Sequence, residues 1–438
     1  MKIEYVNHAC ILITTNSNIK ILTDPWLYGP SWANNLWLFP KSKHSPEYFD
    51  DINYFYISHG HEDHLHKMSI DWLPEKLKNI PVIAPDFGAK YFIDTFEKYG
   101  FSNLLMLKHN DSITLSNEVE IKMFINHDDH DSSILLSADK TNVFFQTDNL
   151  MTREESKLIG ENHNVDLCFT ITSQTGPFPG FYKMNEADLE KAVIQKRENS
   201  KIYSSNIVAD LNPKYVVPYA SDVCYFNDDF YANSLHCDDK HGYKKLVETK
   251  LKDTEVIIMN PHDSLNIYNG VTESRDIQDE RIQDNLEAHY QLLKDQVEII
   301  AAQRLEDNKN NLNDYVQIFY EALLVFNNTW KDSAFDVVWC ISDNEKRSIY
   351  IKQSPGKSIE KTEIIDESKY DLYIYLDLYR LKHLIDNKYA MGFLSLWNGG
   401  FKCKRESLEY NPIEKKFWRW VRAVNLSFGY KPNDNEHS

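Results

Sequence analysis

The chain has 438 residues, of which 42% are hydrophobic and 13% aromatic, a composition typical of a folded globular protein. This length exceeds one ordinary core, so we expect a large domain followed by a smaller C-terminal unit. With 66 acidic against 48 basic residues the net charge is −18, which repels nucleic-acid phosphates and anionic membranes, so neither is expected as a partner.

Cysteine usage and the N-terminus bear on the compartment. The six cysteines form no C-x-x-C pair, so we expect reduced, buried thiols. Glu4 stands where a signal peptide would begin its apolar run, and no segment reaches membrane-spanning length. These features predict a cytoplasmic protein. The oligomeric state stays open, with a homodimer as one expectation.

Short apolar runs separated by polar turns predict strands from the start of the chain. The predicted strands are residues 1–6, 10–14, 19–22, 54–57, 82–84, 120–124, 133–136, 143–146 and 167–171, and an amphipathic helix is predicted over 87–99. Mixed strands and helices continue to about residue 270. This pattern predicts an α/β fold, a layered αββα sandwich, over residues 1–272.

The pattern changes in residues 273–438. Apolar residues at helical spacing among charged ones, without Pro or Gly, predict a long helix over 277–308. A second helix is predicted over 310–330, and strands over 337–341, 348–352 and 370–376. We therefore expect a long helix followed by a small C-terminal α+β module, with a polar tail that frays from residue 431.

The loop after the predicted strand 54–57 is the most informative stretch. It reads Ser-His-Gly-His-Glu-Asp-His and offers four ligands, His59, His61, Asp63 and His64. The two histidines of the H-x-H pair can face one metal while Asp63 and His64 turn toward a second. Imidazole and carboxylate without thiolate suit zinc, iron or manganese. The sequence therefore predicts an open centre for two divalent metal ions, with a solvated histidine-rich loop as the alternative.

Such a centre needs further ligands, and the chain offers candidates at predicted strand ends. His127 or His130 could complete the first position, and we favour His127. Asp148 follows the apolar run 143–146 and is expected to bridge the two cations, with a turn-forming Asp as the alternative. His262 is expected to complete the second position, with an ordinary loop histidine as the alternative.

Other residues are expected around the ligands. His8 and Asp24 lie at strand ends, and such a carboxylate can orient a ligating imidazole through its second nitrogen. We assign catalytic roles to Asp63, His8 and Tyr219, the last as a hydrogen-bond donor to substrate. The aromatic residues of 26–39 either wall the pocket or pack in the core.

These motifs resemble the metallo-β-lactamase superfamily, and within it the catalytic region of CMP-N-acetylneuraminate hydroxylases. The resemblance covers about residues 5–270 and rests on the metal loop and on residues 8–10, 24–30, 37, 176–179 and 211–220. It implies a non-haem iron centre, with two irons favoured over zinc or manganese, that hydroxylates a small-molecule or carrier-bound substrate. The family feeds electrons from a Rieske domain, and this chain lacks paired Cys and His ligands for one, so an external electron donor is expected. The C-terminal module resembles a sterol-carrier-like domain only faintly.

Two other functions stay open. The superfamily's centre commonly serves hydrolysis, so the alternative is a dinuclear zinc hydrolase that lowers the pKa of a bound water and cleaves an ester, amide or phosphodiester. A metal-binding scaffold without turnover is the third interpretation. The full set of ligand types argues against it, because packing alone gives no reason to keep them.

Overall fold

A computed structural model gives the architecture of most of the chain. It describes residues 1–88, 90–116, 119–127, 131–173, 179–180, 182–235, 239–277, 286–307, 309, 311–327, 336–366, 372–387 and 402–404. His130, residues 174–178 and the tail from residue 431 lie outside the described residues. No helix within these ranges is long and apolar enough to cross a membrane.

A mixed sheet of eight strands forms one half of the N-terminal part. Its members are β1 (Lys2–Asn7), β2 (Cys10–Thr14), β3 (Lys20–Thr23), β5 (Tyr54–Tyr56), β6 (Val82–Pro85), β7 (Leu104–Leu107), β17 (Ser264–Tyr268) and β18 (Val271–Asp276). They lie in the order β18-β17-β1-β2-β3-β5-β6-β7. Strands β3, β5, β6 and β7 run parallel, and the strands from β18 to β3 pair antiparallel.

A second sheet of seven strands faces the first. Its members are β8 (Ser112–Ser116), β9 (Val119–Ile125), β10 (Ser132–Ala138), β11 (Thr141–Phe145), β12 (Leu167–Ile171), β14 (Tyr215–Tyr219) and β16 (Glu255–Val256). Alternate apolar side chains of both sheets, such as Ile3, Ile13, Ile121 and Ile134, form one buried cluster between them. Alternation along each strand therefore builds a shared core.

Helices cover the outer faces of both sheets. The helices of this part are α1 (Lys67–Trp72), α2 (Lys90–Lys98), α3 (Arg153–Asn162), α4 (Glu186–Leu211) and α5 (Lys240–Lys250). Phe92 and Phe96 of α2 pack on the first sheet, whereas Ile207 of α4 and Val247 of α5 pack on the second. The predicted αββα sandwich is confirmed. Residues 1–276 are called the sandwich domain below.

The remaining elements form the C-terminal unit. They are α6 (Leu286–Asp307), α7 (Leu312–Asn327), β19 (Val337–Ser342), β20 (Ser348–Ser354), β21 (Ser358–Thr362), β22 (Leu372–Asp377), α8 (Leu378–Asn387) and β23 (Lys402–Lys404). Its sheet also contains β13 (Tyr182–Lys183), a strand from the middle of the sandwich domain that pairs with β23. Helices α7 and α8 pack on this sheet around Phe319, Trp339 and Leu381.

A small connection joins the two units. Strand β4 (Leu36–Leu38) pairs with β15 (Val223–Tyr225), and Leu293 and Val297 of α6 pack on the aromatic side chains of Trp37 and Phe226. The long helix predicted over 277–308 starts at Leu286 among the described residues. Division of the chain at residue 272 stays a prediction, although β13 crosses it by joining the other sheet.

Candidate metal centre

The candidate ligands meet because of strand direction. Strands β1, β3 and β5 of the first sheet share one direction, and His8, Asp24 and the metal loop follow their carboxyl ends. In the second sheet Asp148 follows β11, and Asp131 directly precedes β10, which runs antiparallel to β11. All five segments therefore reach the same edge of the sandwich, where loops can bring polar side chains together.

The first group of ligand atoms comprises His59, His61 and Asp131. One atom from each side chain lies within 4.8 Å of the other two. Nε2 of His59 is 2.7 Å from Nδ1 of His61 and 3.8 Å from an Asp131 carboxylate oxygen. Two imidazoles and one carboxylate match the three-protein-ligand set of an open catalytic site.

The second group comprises His8, Asp63 and His64, all buried. Nε2 of His8 lies 3.3 Å from Oδ2 of Asp63, and Nε2 of His64 lies 3.9 Å from the same oxygen. Both ring nitrogens of His8, Oδ1 of Asp63 and Nε2 of His64 are buried without a hydrogen-bond partner. Each such atom costs about 1–3 kcal/mol. One ligand atom from each of the three side chains lies within 4.8 Å of the other two, an arrangement that fits a cation between them.

Asp148 lies between the two groups. Its carboxylate lies within 4.8 Å of ligand atoms of both His59 and His64, and Oδ2 is 3.5 Å from Nε2 of His64. Its side chain is 29% exposed, so this carboxylate faces the open side of the site. A bridging carboxylate would need such a position, and the bridging role of Asp148 stays a prediction.

A buried carboxylate orients the histidines. Asp24, fully buried, accepts hydrogen bonds from Nδ1 of His64 at 2.9 Å, from the Ser58 hydroxyl at 2.7 Å and from the Ser58 amide at 2.8 Å. The Ser58 hydroxyl lies 2.9 Å from Nδ1 of His59. Protons on the two Nδ1 atoms leave Nε2 of each ring available to a metal. Asp24 thus acts directly on His64 and, through Ser58, on His59.

Backbone strain accumulates around the centre. His8, Asp24, Thr147 and Ala220 all have left-handed backbone conformations, with φ values of 42°, 36°, 55° and 60°. Side-chain-bearing residues in this region cost on the order of 1–3 kcal/mol each and persist where surrounding contacts fix them. The amide of Ala220 donates to the His8 carbonyl at 3.0 Å, which fixes one such pair.

Tyr219 lies beneath the loop that carries Asp148. It is 1% exposed, and its hydroxyl accepts a hydrogen bond from the Thr147 amide at 2.9 Å. Burial raises the pKa of this phenol well above its ordinary value, so it stays protonated. This placement gives Tyr219 a positioning contact next to Asp148, whereas its predicted donation to substrate stays a prediction.

Two tryptophans flank the ligands. The Trp26 ring, fully buried, packs edge-on against His8 with centroids 5.3 Å apart. The Trp32 ring lies 5.2 Å from the ring of His61. Trp37, by contrast, belongs to the core cluster beneath α6. The aromatic segment 26–39 therefore divides between walling the site and packing in the core.

Electrostatics reflects the close packing of imidazoles and carboxylates. Burial lowers the pKa of His64, but the carboxylates of Asp24 and Asp148 outweigh it, and the pKa lies well above its usual value. Burial raises the pKa of Asp63, but the charge on His64 and other neighbouring imidazoles hold it well below its usual range. Burial lowers the pKa of His61. A metal would displace a proton from His64, so its affinity should depend on pH.

Two predicted ligands lie apart from these groups. The His127 side chain is 52% exposed, and its Nδ1 lies 3.6 Å from Glu155. His262 donates its amide to the Tyr5 carbonyl, and its Nδ1 lies 3.4 Å from Nε2 of His44. Neither joins a ligand group among the described residues. Their proposed ligand roles are therefore not supported by the geometry, and His130 lies outside the described residues.

Sequence reasoning missed Asp131 and Ser58. Asp131 lies in the same stretch as His127. The histidines of that stretch were predicted as ligands, and this carboxylate was not. The signal was available, because Asp131 directly precedes a strand antiparallel to the one that ends at Asp148. Ser58 is one residue before the first ligand, and only its hydrogen bonds in the folded chain reveal its role.

The fold and the candidate metal site together indicate the fold class of the sandwich domain. Residues 2–151 match the family model of the β-lactamase superfamily domain. This match and the two facing sheets covered by helices identify the metallo-β-lactamase fold, with a potential His/Asp metal site at its edge.

Curated relatives extend the likeness. The chain is 28% identical over 234 residues to the cytidine monophosphate-N-acetylneuraminic acid hydroxylase of Asterias rubens, covering 50% of this chain and 34% of the relative. It is 24% identical over 255 residues to a Mycolicibacterium smegmatis protein whose name describes a Rieske 2Fe-2S iron-sulfur protein, covering 55% and 47%. The chain thus spans a third to a half of the length of these relatives.

Solved structures include an isothiocyanate hydrolase from Delia radicum gut bacteria. It is 14% identical, with a TM-score of 0.44, and the likeness covers 61% of this chain and 100% of that one.

Proposed function

We propose that this chain is the catalytic part of a non-haem diiron oxygenase that hydroxylates a small or carrier-bound substrate with electrons from an external donor. The single observation that carries the metal assignment is the clustering of the buried side chains of His8, Asp63 and His64, which have ligand atoms within 4.8 Å of one another and include polar atoms without a hydrogen-bond partner. Oxygenase chemistry is supported by relatives whose names describe hydroxylases.

Seven side chains would hold two metal ions. We assign His59, His61 and Asp131 to the first ion, His8, Asp63 and His64 to the second, and Asp148 to both. Nitrogen and carboxylate ligands without sulfur suit iron, and equally zinc or manganese. When bound, two irons would supply the one-electron chemistry by which O2 is activated. This assignment replaces His127 and His262 with Asp131 and His8.

The surrounding residues hold the ligands in place. The Asp24 carboxylate keeps the proton of His64 on Nδ1 and, through Ser58, that of His59. The Tyr219 hydroxyl fixes the amide of Thr147, next to Asp148. The buried rings of Trp26 and Trp32 exclude water from the inner side of the ligands. A rigid ligand set that faces solvent at Asp148 and, in part, at His61 would direct a substrate toward that side.

The electron donor is proposed to be a separate or additional Rieske-type iron-sulfur unit. Relatives similar to this chain over about half its length carry the Rieske name, and the chain covers only part of each. A donor of this type supplies one electron at a time, as iron in an oxygenase requires.

Metal analysis tests the proposal. Protein produced in medium replete in iron and zinc would be analysed by plasma mass spectrometry, and its optical spectrum recorded before and after dithionite. About two irons per chain and a ferric band lost on reduction are expected. Two zinc ions with no visible band would instead favour the metallo-hydrolase, and protein that takes up no metal would refute both.

A further inference from the structure

A short left-handed turn lies between the metal loop and the C-terminal unit. Trp32, Ala33 and Asn34 have φ values of 54°, 56° and 59°, a run of three side-chain-bearing residues in a region that such residues rarely adopt. Two backbone hydrogen bonds between Ser31 and Leu36 close the turn. Residues 32–34 are called the left-handed turn below. Its conformation must be imposed by neighbouring contacts, because one such residue is already unfavourable.

One side of the turn contacts the metal loop. The Ala33 amide donates a hydrogen bond to Oε2 of Glu62 at 3.2 Å. The Trp32 ring lies 5.2 Å from the His61 ring, and the side chain is 3% exposed. Because Glu62 follows His61 directly, a shift of the turn would move the ligand.

The other side of the turn contacts α8 of the C-terminal unit. Ala33 belongs to the buried core that α7 and α8 form with their sheet. The side-chain amide of Asn34 donates a hydrogen bond from Nδ2 to the Tyr379 hydroxyl at 3.0 Å. The Arg380 guanidinium donates to Oδ1 of Asn35 at 3.4 Å. The C-terminal unit thus holds the turn by packing around Ala33 and by the two hydrogen bonds to Asn34 and Asn35.

Arg380 is itself held on three sides. It is 5% exposed and forms ion pairs with Asp229 at 2.5 Å and with Asp377 at 3.0 Å. Arg304 of α6 binds the same Asp377 at 2.8 Å. The guanidinium of this buried arginine contacts carboxylates from two parts of the chain, Asp229 of the sandwich domain and Asp377 of the C-terminal unit. It therefore fixes the relative position of these two segments.

We propose that the C-terminal unit is a positioning element of the metal centre, in which Tyr379, through Asn34, and Arg380, through the adjoining Asn35, hold the left-handed turn against His61 and Glu62. The proposal rests on the proposed function for its metal ligands. Arg380 acts through the turn and has no contact with a ligand group among the described residues, so it is a positioning residue. When the contacts of Arg380 are removed, the turn becomes free to move, and metal affinity falls at the position of His59, His61 and Asp131.

Hydrogen exchange and metal binding test this together. In metal-free Arg380→Ala protein, amide exchange in the peptides containing residues 31–36 and 59–62 is expected to rise about tenfold, because the turn opens without global unfolding. Zn2+ affinity of the first position, from competition with a chelator, should fall about tenfold, whereas the position containing His8 keeps its affinity. Arg275→Ala is the control for removal of an arginine ion pair, because the more exposed Arg275 makes a two-pronged ion pair with Glu255 away from the centre.

Two further variants separate positioning from folding. Asn34→Gly suits the left-handed backbone, so the thermal midpoint should hold or rise while exchange in the turn increases. Tyr379→Phe deletes one oxygen and removes the hydrogen bond between Asn34 and Tyr379. This variant tests the proposal if Arg380→Ala does not fold. Folded variants with wild-type exchange in 31–36 and wild-type Zn2+ affinity would overturn the proposal. Wild-type protein that binds no metal would refute the proposed centre alone, since the exchange comparison would still decide whether α8 orders the turn.

Discussion

Asp24→Asn tests how the buried carboxylate controls the candidate ligands. Asp24 accepts hydrogen bonds from His64 Nδ1 and from both the amide and the hydroxyl of Ser58. An Asn keeps one accepting oxygen for the Ser58 amide, but turns an NH2 group toward the Ser58 hydroxyl and the N–H of His64, which share Oδ2 of Asp24. One hydrogen bond to a charged group is lost, worth about 2 kcal/mol. Metal affinity at the second position should therefore fall about 30-fold.

The assay is a Zn2+ titration against a competing chelator, fitted to two sites. The first position should weaken less, because Asp24 reaches His59 only through Ser58. Asp166→Asn is the control, since Asp166 is also buried and accepts a hydrogen bond from the Asn142 backbone amide at 2.9 Å, but directly precedes β12 at the opposite edge. A folded Asp24→Asn protein with unchanged affinity at both positions would show that this carboxylate does not orient a ligand.

Four more outcomes are expected. His8→Ala should lower bound metal from about two ions to about one, as counted by plasma mass spectrometry, because it removes one of the three ligands of the second position. Asp148→Ala should weaken both positions about 10- to 100-fold in chelator competition, because its carboxylate lies between them. Gly160→Ala should cost about 1–3 kcal/mol of unfolding free energy in urea, because the added methyl would lie 2.1 Å from the Asp210 carbonyl of the adjoining α4. Burial lowers the pKa of His383 to about 4, so its stabilising contribution is present above about pH 6.5 and is lost as pH falls toward 4. Between about pH 7 and pH 5 the wild type should lose about 2 kcal/mol more than His383→Gln, measured by urea unfolding.

Each of these predictions has a result that contradicts it. Two tightly bound ions in His8→Ala would remove His8 from the ligand set. Loss at only one position in Asp148→Ala would rule out a bridge. Wild-type stability in Gly160→Ala would mean that α3 and α4 separate easily. Parallel pH dependence of wild type and His383→Gln would show that this imidazole does not titrate with folding.

Much of the two sheets was predictable from the sequence because many of their strands are short, apolar and bounded by turns, whereas β7, β8, β14, β17 and β18 were not predicted. Most predicted strands agree with the structure to within two residues, since alternation along a strand leaves a clear signal. The 26-residue helix α4 was not predicted. It carries apolar residues on more than one side because it packs on the sheet and on α3 and α5, so no single face stands out.

Among the proposed ligands, the sequence alone singled out those of the metal loop and one residue at a predicted strand end. The loop from His59 to His64 supplies four of them, and Asp148 followed from its strand end. Asp131 and His8 required knowledge of which strands lie side by side. His127 and His262 were predicted as ligands on the same ground, because they also lie at strand ends. The sequence does not show in which direction a side chain points at the end of its strand.

Strand β13 has a consequence for how this protein could have arisen. Residues 182–183 lie far before the C-terminal unit in sequence but pair with residues 403–404 at the edge of its sheet. A break of the chain between these two segments would separate the two strands and leave β23 as the edge of its sheet. A C-terminal unit transferred to another chain without residues 182–183 would therefore expose the backbone groups of β23 that β13 pairs. Relatives that carry one without the other would be expected to leave an edge strand unpaired or to have replaced it.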